Sequence, residues 1–514
     1  MSLVTAPGDA SAAPTVQEWD DALESTYPNA KPLLDRTDGN DDHQFAWQGH
    51  FWLRAYLRMA SLTGDTRYLD DAVELIDHMW AYSDPERVAR GEIAHDGYVK
   101  APVYHFHHDE VAPGWRFPEG ERWRIEALTD GMILQGMTRF VYVVERDDRF
   151  VEYRPKAAEY LPRIEEVLAT HDENYSYDRN ENNAGSYYYT AEREDSSYDD
   201  PYNDRIWGDG KPYNHNACVA VSLILLDDLY GRPEYRRKAQ GILQFWKDNH
   251  WVEGGDSYAW YYHLLDESIG GVEDVEHASL DVDLLMLSHN FEVPGLDDGA
   301  VISDTDLDFL VGTVRRFTQD DGNLTYRVDG TNDGNTDNTA IGYGWIELAR
   351  HDPEVYDLAL FTFEEHVGLS WSRTFLGWAN LLWLDQRCEA EDEVCDGVDN
   401  DCDGWIDEGV GCIVGEDPGG DTGGGGETGG GDDGTSGGVG AGGDDGGGED
   451  GAGGDAADSS GSSSTDGPGS DAGGADDEGR EQGCGCASGD PGPGLALLVP
   501  FALFLLRRRT RDLA

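Results

Sequence analysis

The chain has 514 residues, with 103 acidic side chains against 37 lysines and arginines and a formal net charge of −66. That charge excludes an electrostatic grip on nucleic acid or on an anionic membrane surface, and it suits a solvated protein in salty surroundings. The aromatic and apolar residues gather before about Arg387, so a large globular part is followed by an apolar-poor tail.

Met1 to Ala6 lacks the basic and apolar regions of a signal peptide, yet Ala10-Ser11-Ala12 before Ala13-Pro14 has the form of a leader cleavage site. The true start is therefore expected upstream of Met1. From Gln17 the apolar period is helical and predicts helices over 17–26, 44–62, 66–82, 122–145, 153–170, 214–230, 233–250, 276–291, 304–319, 340–351, 353–368 and 372–386. Tight links such as Thr63-Gly64-Asp65, Tyr230-Gly231-Arg232-Pro233 and His351-Asp352-Pro353 alternate with long excursions near 27–43, 83–121, 171–213, 251–275 and 320–339. Short hairpins are expected inside the excursions at Gly97–Lys100 and Leu324–Val328. Of the seven cysteines, Cys218 falls in an apolar helical run and reads as a buried thiol, whereas the other six lie downstream, a usage that suits an oxidising compartment.

Antiparallel helices joined alternately by tight turns and long loops place every second connection at one end. The expected fold is mainly α, an (α/α)6 toroid of about six helical hairpins over residues 15–387, with the long loops sharing one face. With motifs such as Tyr213-Asn-His-Asn216 and Glu273-Asp-Val-Glu-His277, the chain resembles the (α/α)6-toroid carbohydrate-active proteins, the six-hairpin glycosidases and polysaccharide lyases. The resemblance implies a polysaccharide or oligosaccharide partner in a cleft across the loop-rich end, and no cofactor in the toroid.

Candidate cleft residues come from that face. Trp123, Trp207, Tyr213, Trp260 and Tyr262 supply aromatic faces of the kind on which sugar rings stack, while His43, Arg124 and Asp337 supply polar contacts near helix starts. Glu273, Asp274 and His277 stand at the start of a helix, where Asp274 also reads as its N-cap, and Asp281 one turn deeper reads as a partner that orients His277. Asn214 reads as another N-cap. Alternate histidines in His105-Phe-His-His-Asp109 are a candidate transition-metal site.

Two mechanisms fit these residues. In hydrolysis, Glu273 or Asp274 pairs with Asp42, Asp130 or Asp337 as acid and base or nucleophile, at a separation of about 5 to 9.5 Å. In β-elimination from a uronic acid, Asn214 and His215 stabilise the charge developing on the C5 carboxylate, and Tyr258, Tyr261 or Tyr262 removes the C5 proton. Asn214-His215 is similar to the Asn-His pair of toroid lyases. An anionic substrate sits uneasily with the overall charge, but His105, His107, His108, Arg116, Arg122, Arg124 and Lys211 make a locally basic strip. The alternative class is a non-catalytic glycan-binding or adhesion protein that keeps the cleft without the chemistry.

The tail begins with a Cys/Asp-rich segment, 388–412, that closely resembles the MopE-type metal-binding motif. Independently of that likeness, Asp399, Asp401 and Asp403 stand at positions 1, 3 and 5 of an EF-hand-like loop, with Gly404 at 6, the Trp405 carbonyl at 7 and Asp407 at 9. Ca2+ is the expected ion. Position 12 is Val410, so Glu408 or Asp396 is expected to help close the site. Cys388, Cys395, Cys402 and Cys412 allow two disulfides with three possible pairings.

Residues 413–483 are too rich in Gly, Asp and Ser to bury a core and read as a flexible, self-repelling linker. The final segment, 484–514, carries Cys484-Gly-Cys486, the apolar run Gly494–Leu506 interrupted by Pro500, and Arg507–Arg509. It resembles the C-terminal sorting domain of myxobacterial surface proteins. That likeness implies a secreted protein attached to the cell surface or outer membrane through this segment.

Overall fold

The computed structural model describes residues 15–26, 31–93, 111–119, 122–177, 184–187, 211–263, 271–295, 299–332, 342–366, 372–385, 393–395, 399–400, 405–409 and 412. Among them, beside the short helices Lys31–Leu34 and Asp84–Ala89, twelve helices build the fold in chain order: α1 (Val16–Thr26), α2 (His50–Thr63), α3 (Arg67–Ala81), α4 (Ala127–Arg146), α5 (Arg154–Thr170), α6 (Tyr213–Tyr230), α7 (Pro233–Asn249), α8 (Val275–Asn290), α9 (Asp304–Phe317), α10 (Tyr343–Glu347), α11 (Pro353–His366) and α12 (Ser372–Leu384). A π-helical turn, Phe45–Gly49, leads into α2, and a 3-10 turn, Leu348–Arg350, extends α10.

The even-numbered helices form a closed inner ring. Each packs on the next, α2 on α4, α4 on α6, α6 on α8, α8 on α10 and α10 on α12, and α12 returns to α2. Outer helices α3, α5, α7 and α11 lie against the inner helix just before them in the chain, while α1 closes the circle by packing on α12. There the Trp19 indole N–H donates to the Phe375 carbonyl at 3.0 Å, and the two rings meet edge-on at 5.3 Å. This is an (α/α)6 toroid.

The inner helices read as buried because they are apolar on most sides, as in Ala217-Cys-Val-Ala-Val-Ser-Leu-Ile-Leu-Leu226 of α6 and Leu284–Leu287 of α8. Cys218 is a buried free thiol. Close approach between them depends on glycine. A Cβ at Gly344 of α10 would fall 1.9 Å from the Ser279 carbonyl of α8, and one at Gly131 of α4 would fall 2.9 Å from the Val219 side chain of α6. These partners lie at matching depths from their helix starts, so the inner helices run parallel and their N-termini share the end reached by the long loops.

The helices follow the apolar period to within a few residues, with exceptions that have local causes. Arg122–Ile125 was expected to open a helix but forms strand β2, paired antiparallel with β1 (Arg116–Glu119) in the register Arg116↔Ile125, and α4 starts only at Ala127. Arg-Trp-Arg-Ile alternates with a period of two, which a strand satisfies and a helix does not. Leu324–Val328 forms no paired strands, only an isolated antiparallel bridge from Leu324 back to Thr318 across a short turn, and it runs beside the start of α8 through a second bridge between Asp274 and Arg327. Two further hairpins are β3 (Tyr175–Ser176) with β4 (Ser186–Tyr187) and β5 (Trp251–Glu253) with β6 (Ser257–Ala259). Gly97–Lys100 lies outside the described residues.

The opposite, tight-turn end of the ring is met by part of the Cys/Asp-rich segment. Trp405 is 8% exposed and packs edge-on to Tyr142 and Phe291 at 5.1 and 5.2 Å, with the Arg139 guanidinium 4.9 Å above its ring. The Tyr142 hydroxyl donates to the Ile406 carbonyl, and the Gly409 N–H reaches Asp228 at 3.3 Å. Residues 405–409 thus cap the toroid rather than hanging from it. Cys395 and Cys412 are joined by a disulfide, which selects one of the possible pairings; Cys388 and Cys402 lie outside the described residues. Among the described residues no helix is long and apolar enough to cross a membrane.

Candidate active site

The segment entering α8 is clamped on both sides before the helix begins. The Glu273 N–H donates to the Trp260 carbonyl at 2.9 Å, and its own carbonyl accepts from the Val328 N–H at 3.1 Å. The Val275 N–H reaches the Tyr326 carbonyl, and Tyr262 pairs with Gly271 and Tyr213 through main-chain bonds. Glu273, Asp274, Tyr262 and Tyr213 are therefore fixed against one another at the loop-rich end of the ring.

Asp274 is the N-cap of α8, accepting the Glu276 and His277 N–H groups on one oxygen at 3.0 and 2.9 Å. Its second oxygen meets His277 Nδ1 at 2.6 Å. Burial opposes charge on both groups, but each is the other's counter-ion: Asp274 stays below the ordinary carboxylate range, and the imidazole of His277 is raised to about 10. His277 is thus an imidazolium at neutral pH. Its ring meets Trp47 edge-on at 5.9 Å and Tyr262 at 5.7 Å.

Behind this pair stand two carboxyls that water does not reach. Glu273 and Asp281 are 0% exposed. Burial raises Asp281 to about 8 even though its Oδ2 accepts the Trp260 indole N–H at 2.9 Å. Burial, and then the charges of Asp281 and Asp274, push Glu273 well above its usual value. Among the described residues, Glu273 Oε2, Asp281 Oδ1, the Tyr213 hydroxyl, both polar atoms of the Asn214 amide and both ring nitrogens of His50 are buried without a hydrogen-bond partner. An unmet buried polar group costs about 1–3 kcal/mol, so these groups call for ordered water or another polar occupant.

The remaining candidates divide. His215 is 2% exposed, 3.8 Å from a Glu126 oxygen that Lys211 also approaches at 3.3 Å, and its ring lies 6.5 Å from Tyr262. It belongs to the cluster. His43, with a left-handed φ of 66°, precedes the π-helical turn that carries Trp47. Asn214 does not cap α6; the neighbouring Asn216 ties the helix start to β4, accepting from the Tyr187 N–H at 2.6 Å and donating to the Lys211 and Pro212 carbonyls. Asp281 does not orient His277 as its spacing suggested, because Asp274 fills that role and Trp260 engages Asp281.

Tyr258 is displaced from the site altogether. It stacks on Phe309 at 4.7 Å and donates to Asp306, both on α9. Trp260 is 0% exposed and carries Asp281 rather than a sugar, Tyr213 is likewise buried, and Tyr261 packs on Trp251 at 4.6 Å. Asp130, a candidate second carboxylate, is buried against His171 at 2.9 Å, and Asp42 pairs with Arg36 at the surface. Arg116 is committed to Asp41 and Lys211 to Glu126, which removes these members of the basic strip. Trp207, Asp337 and His105–Asp109 lie outside the described residues, as do the side chains of Trp123 and Arg124. Trp47 and Glu126 went unnoticed in the sequence, Trp47 because it reads as a helix-face aromatic.

One ligand atom each from Glu273, Asp274 and His277 fall within 4.8 Å of one another, close enough for a shared metal ion. Asp274 and His277 spend those atoms on each other, so the arrangement reads as an ion pair.

No protein-family model and no curated protein sequence match the chain. Solved structures similar to it include the α-1,6-mannanase GH76A of Salegentibacter sp. HEL1_6, at 12% identity over 71% of this chain and 99% of that one, with a TM-score of 0.40. A glycosyl hydrolase family 88 protein from Bacteroides vulgatus has 12% identity, 72% and 97% coverage and a TM-score of 0.33. Cellobiose 2-epimerase from Bacillus thermoamylovorans B4167 has 12% identity, 71% and 85% coverage and a TM-score of 0.36. The likeness extends no further than the helical architecture.

Proposed function

We propose that the protein is a glycan-processing enzyme that cleaves a uronic-acid polysaccharide by β-elimination at the loop-rich end of the toroid. The observation that carries this reading is which groups a substrate can touch. The His277 side chain is 15% exposed and Tyr262 and Trp47 are half-buried, whereas the carboxyls of Glu273 and Asp281 are sealed. A fixed imidazolium beside an accessible tyrosine matches what elimination needs: His277 binds the C5 carboxylate, and Tyr262, reacting as its phenolate, takes the C5 proton and passes it to the departing O4 as the C4=C5 bond forms and the C4–O4 bond breaks, which returns the phenolate. His215, next to Asn214 at the start of α6, lies edge-on to Tyr262 at 6.5 Å, and Trp47 offers an apolar edge to a sugar ring.

Glycoside hydrolysis is the second reading, favoured by one observation: burial pushes Glu273 well above its usual value while His277 holds the neighbouring Asp274 below it, the divergence of acidities that separates an acid from a base. Incubation with a panel of polysaccharides separates the readings. Elimination gives products absorbing in the near ultraviolet, hydrolysis gives reducing ends without that absorbance, and retention without turnover identifies a glycan-binding or adhesion protein.

The same reading extends to the tail. By their spacing in the sequence, Asp399, Asp401, Asp403 and Asp407 with the Trp405 carbonyl would supply an all-oxygen donor set suited to Ca2+; Asp401 and Asp403 lie outside the described residues, and Asp407 and Glu408 are 8% and 2% exposed. Chelation that leaves the melting temperature unchanged refutes a calcium site there. Residues 484–514 would sort the protein to the cell surface, and deletion of this segment should release it into the medium.

A further inference from the structure

At the tight-turn end of the ring, opposite the candidate active site, a cavity of about 30 Å³ is lined by Arg54, Arg58, Ser61, Arg139, Asn380 and Trp405 among others. Its charges do not balance. Arg54 and Arg139 share the one carboxylate of Asp283, at 2.5 and 2.9 Å, and Arg58 pairs with Glu347 at 2.9 Å. Three guanidinium groups thus face two carboxylates.

Burial, then the like charges of Arg54 and Arg58, pull Arg139 down to about 10, which still leaves it a cation at neutral pH. Arg54 and Arg139 are 5% and 7% exposed, and Arg54 Nη1 and Arg139 Nε have no hydrogen-bond partner among the described residues. Water could accept those N–H groups, but it would leave the surplus positive charge buried and uncompensated, which is costly. A single small anion answers both needs.

We propose that this cavity is a binding site for a halide-sized monoanion, chloride in a saline medium, held by Arg54 and Arg139 beneath the Trp405 ring. Its volume gives room for one or two water-sized occupants, which a halide fits. The net charge of −66 does not forbid it, because distant surface charge is screened within about 10 Å at 0.1 M salt while the arginines act at contact. Arg139 both contributes to the anion cavity and lies under Trp405, so an occupant would tie the cap formed by residues 405–409 to the ring. This site is independent of the reaction proposed above.

The test uses the full chain at constant ionic strength, exchanging sodium gluconate, whose anion is too large to enter, for sodium chloride. The melting temperature should rise by about 2 °C or more with chloride and saturate, following ligand linkage rather than salt screening. A crystal grown in bromide should show an anomalous peak between Arg54 and Arg139. Asn380→Asp places a carboxylate in the cavity wall while keeping the oxygen that accepts from Arg58 at 3.1 Å, and gives up only the long 3.4 Å bond from the amide to the Tyr343 carbonyl; it should abolish the chloride response and leave a folded protein in gluconate. Equal melting in the two salts, a cavity holding only water in bromide, or an undiminished chloride response in Asn380→Asp would each overturn the proposal.

Discussion

Asp274 holds His277 twice, by its backbone N–H at 2.9 Å and by ring Nδ1 at 2.6 Å, so one carboxylate both starts α8 and keeps the imidazole charged. The two roles separate by substitution. Asp274→Asn keeps a good N-cap but removes the counter-charge, and the alkaline limit of activity should fall from near 10 toward the ordinary histidine value of about 6.5. Asp274→Ala should also lose about 1 kcal/mol of stability with the cap, read from the urea midpoint. A pH profile of kcat/KM that keeps its alkaline limb in Asp274→Asn would show that this carboxylate does not sustain the reacting cation.

Removing His277 itself should strike the chemical step. His277→Gln leaves the Asp274 cap in place and should lower kcat by at least about 100-fold, with a smaller change in KM, because the cation acts on charge that develops in the transition state. Tyr262→Phe should do the same while leaving stability nearly unchanged, since Tyr262 is half-buried. If turnover survives in Tyr262→Phe but is lost in Glu273→Gln, hydrolysis replaces elimination.

The toroid was legible because its signal is redundant: twelve apolar-periodic helices, with tight turns alternating against long loops, leave few other closed arrangements. The site was legible only where it coincides with a helix start. Asp274 and His277 stand at i and i+3 on α8, a spacing visible in the sequence. What the sequence could not reveal was facing. Tyr258, Trp260 and Tyr262 share one parity in the same aromatic run, yet Tyr258 bonds Asp306, Trp260 bonds Asp281 and Tyr262 packs on His277, destinations that a period of two does not separate. Trp47 escaped notice because a π-helical turn shifts the face it presents.

The ion pair also shapes stability against pH. His277 is raised in the folded protein, so its contribution is complete below about 6.5, declines as pH rises from there and is lost through about 10. Asp274 is lowered, so its contribution is present above the unfolded value near 4 and is lost as pH falls through its folded value. Melting temperatures of His277→Gln should therefore differ most from the parent near pH 5–6 and converge with it above pH 10.

Asp281 acts in the other direction. Raised to about 8, it stabilises the fold in its protonated form, and that contribution is complete below about pH 4 and lost as pH rises through 8. Asp281→Asn keeps an acceptor for the Trp260 indole and has no proton to lose. The variant should gain on the parent as pH is raised from 5 to 9, and a difference in melting temperature that stays constant across that range would refute the buried-acid account.

Trp405 lies more than a hundred residues beyond most of its contacts, yet it covers the end of the ring against Tyr142, Phe291 and Arg139. Trp405→Ala empties a site that is 8% exposed and should cost about 3–5 kcal/mol, the range for a buried tryptophan. The loss should appear in the unfolding of the toroid itself, because residues 405–409 are bonded to α4 and α6 through Tyr142 and Asp228. Trp405→Phe retains most of the ring and should recover much of the loss. Were the segment a stalk with no part in the toroid, circular dichroism of α-helix melting would not distinguish Trp405→Ala from the parent.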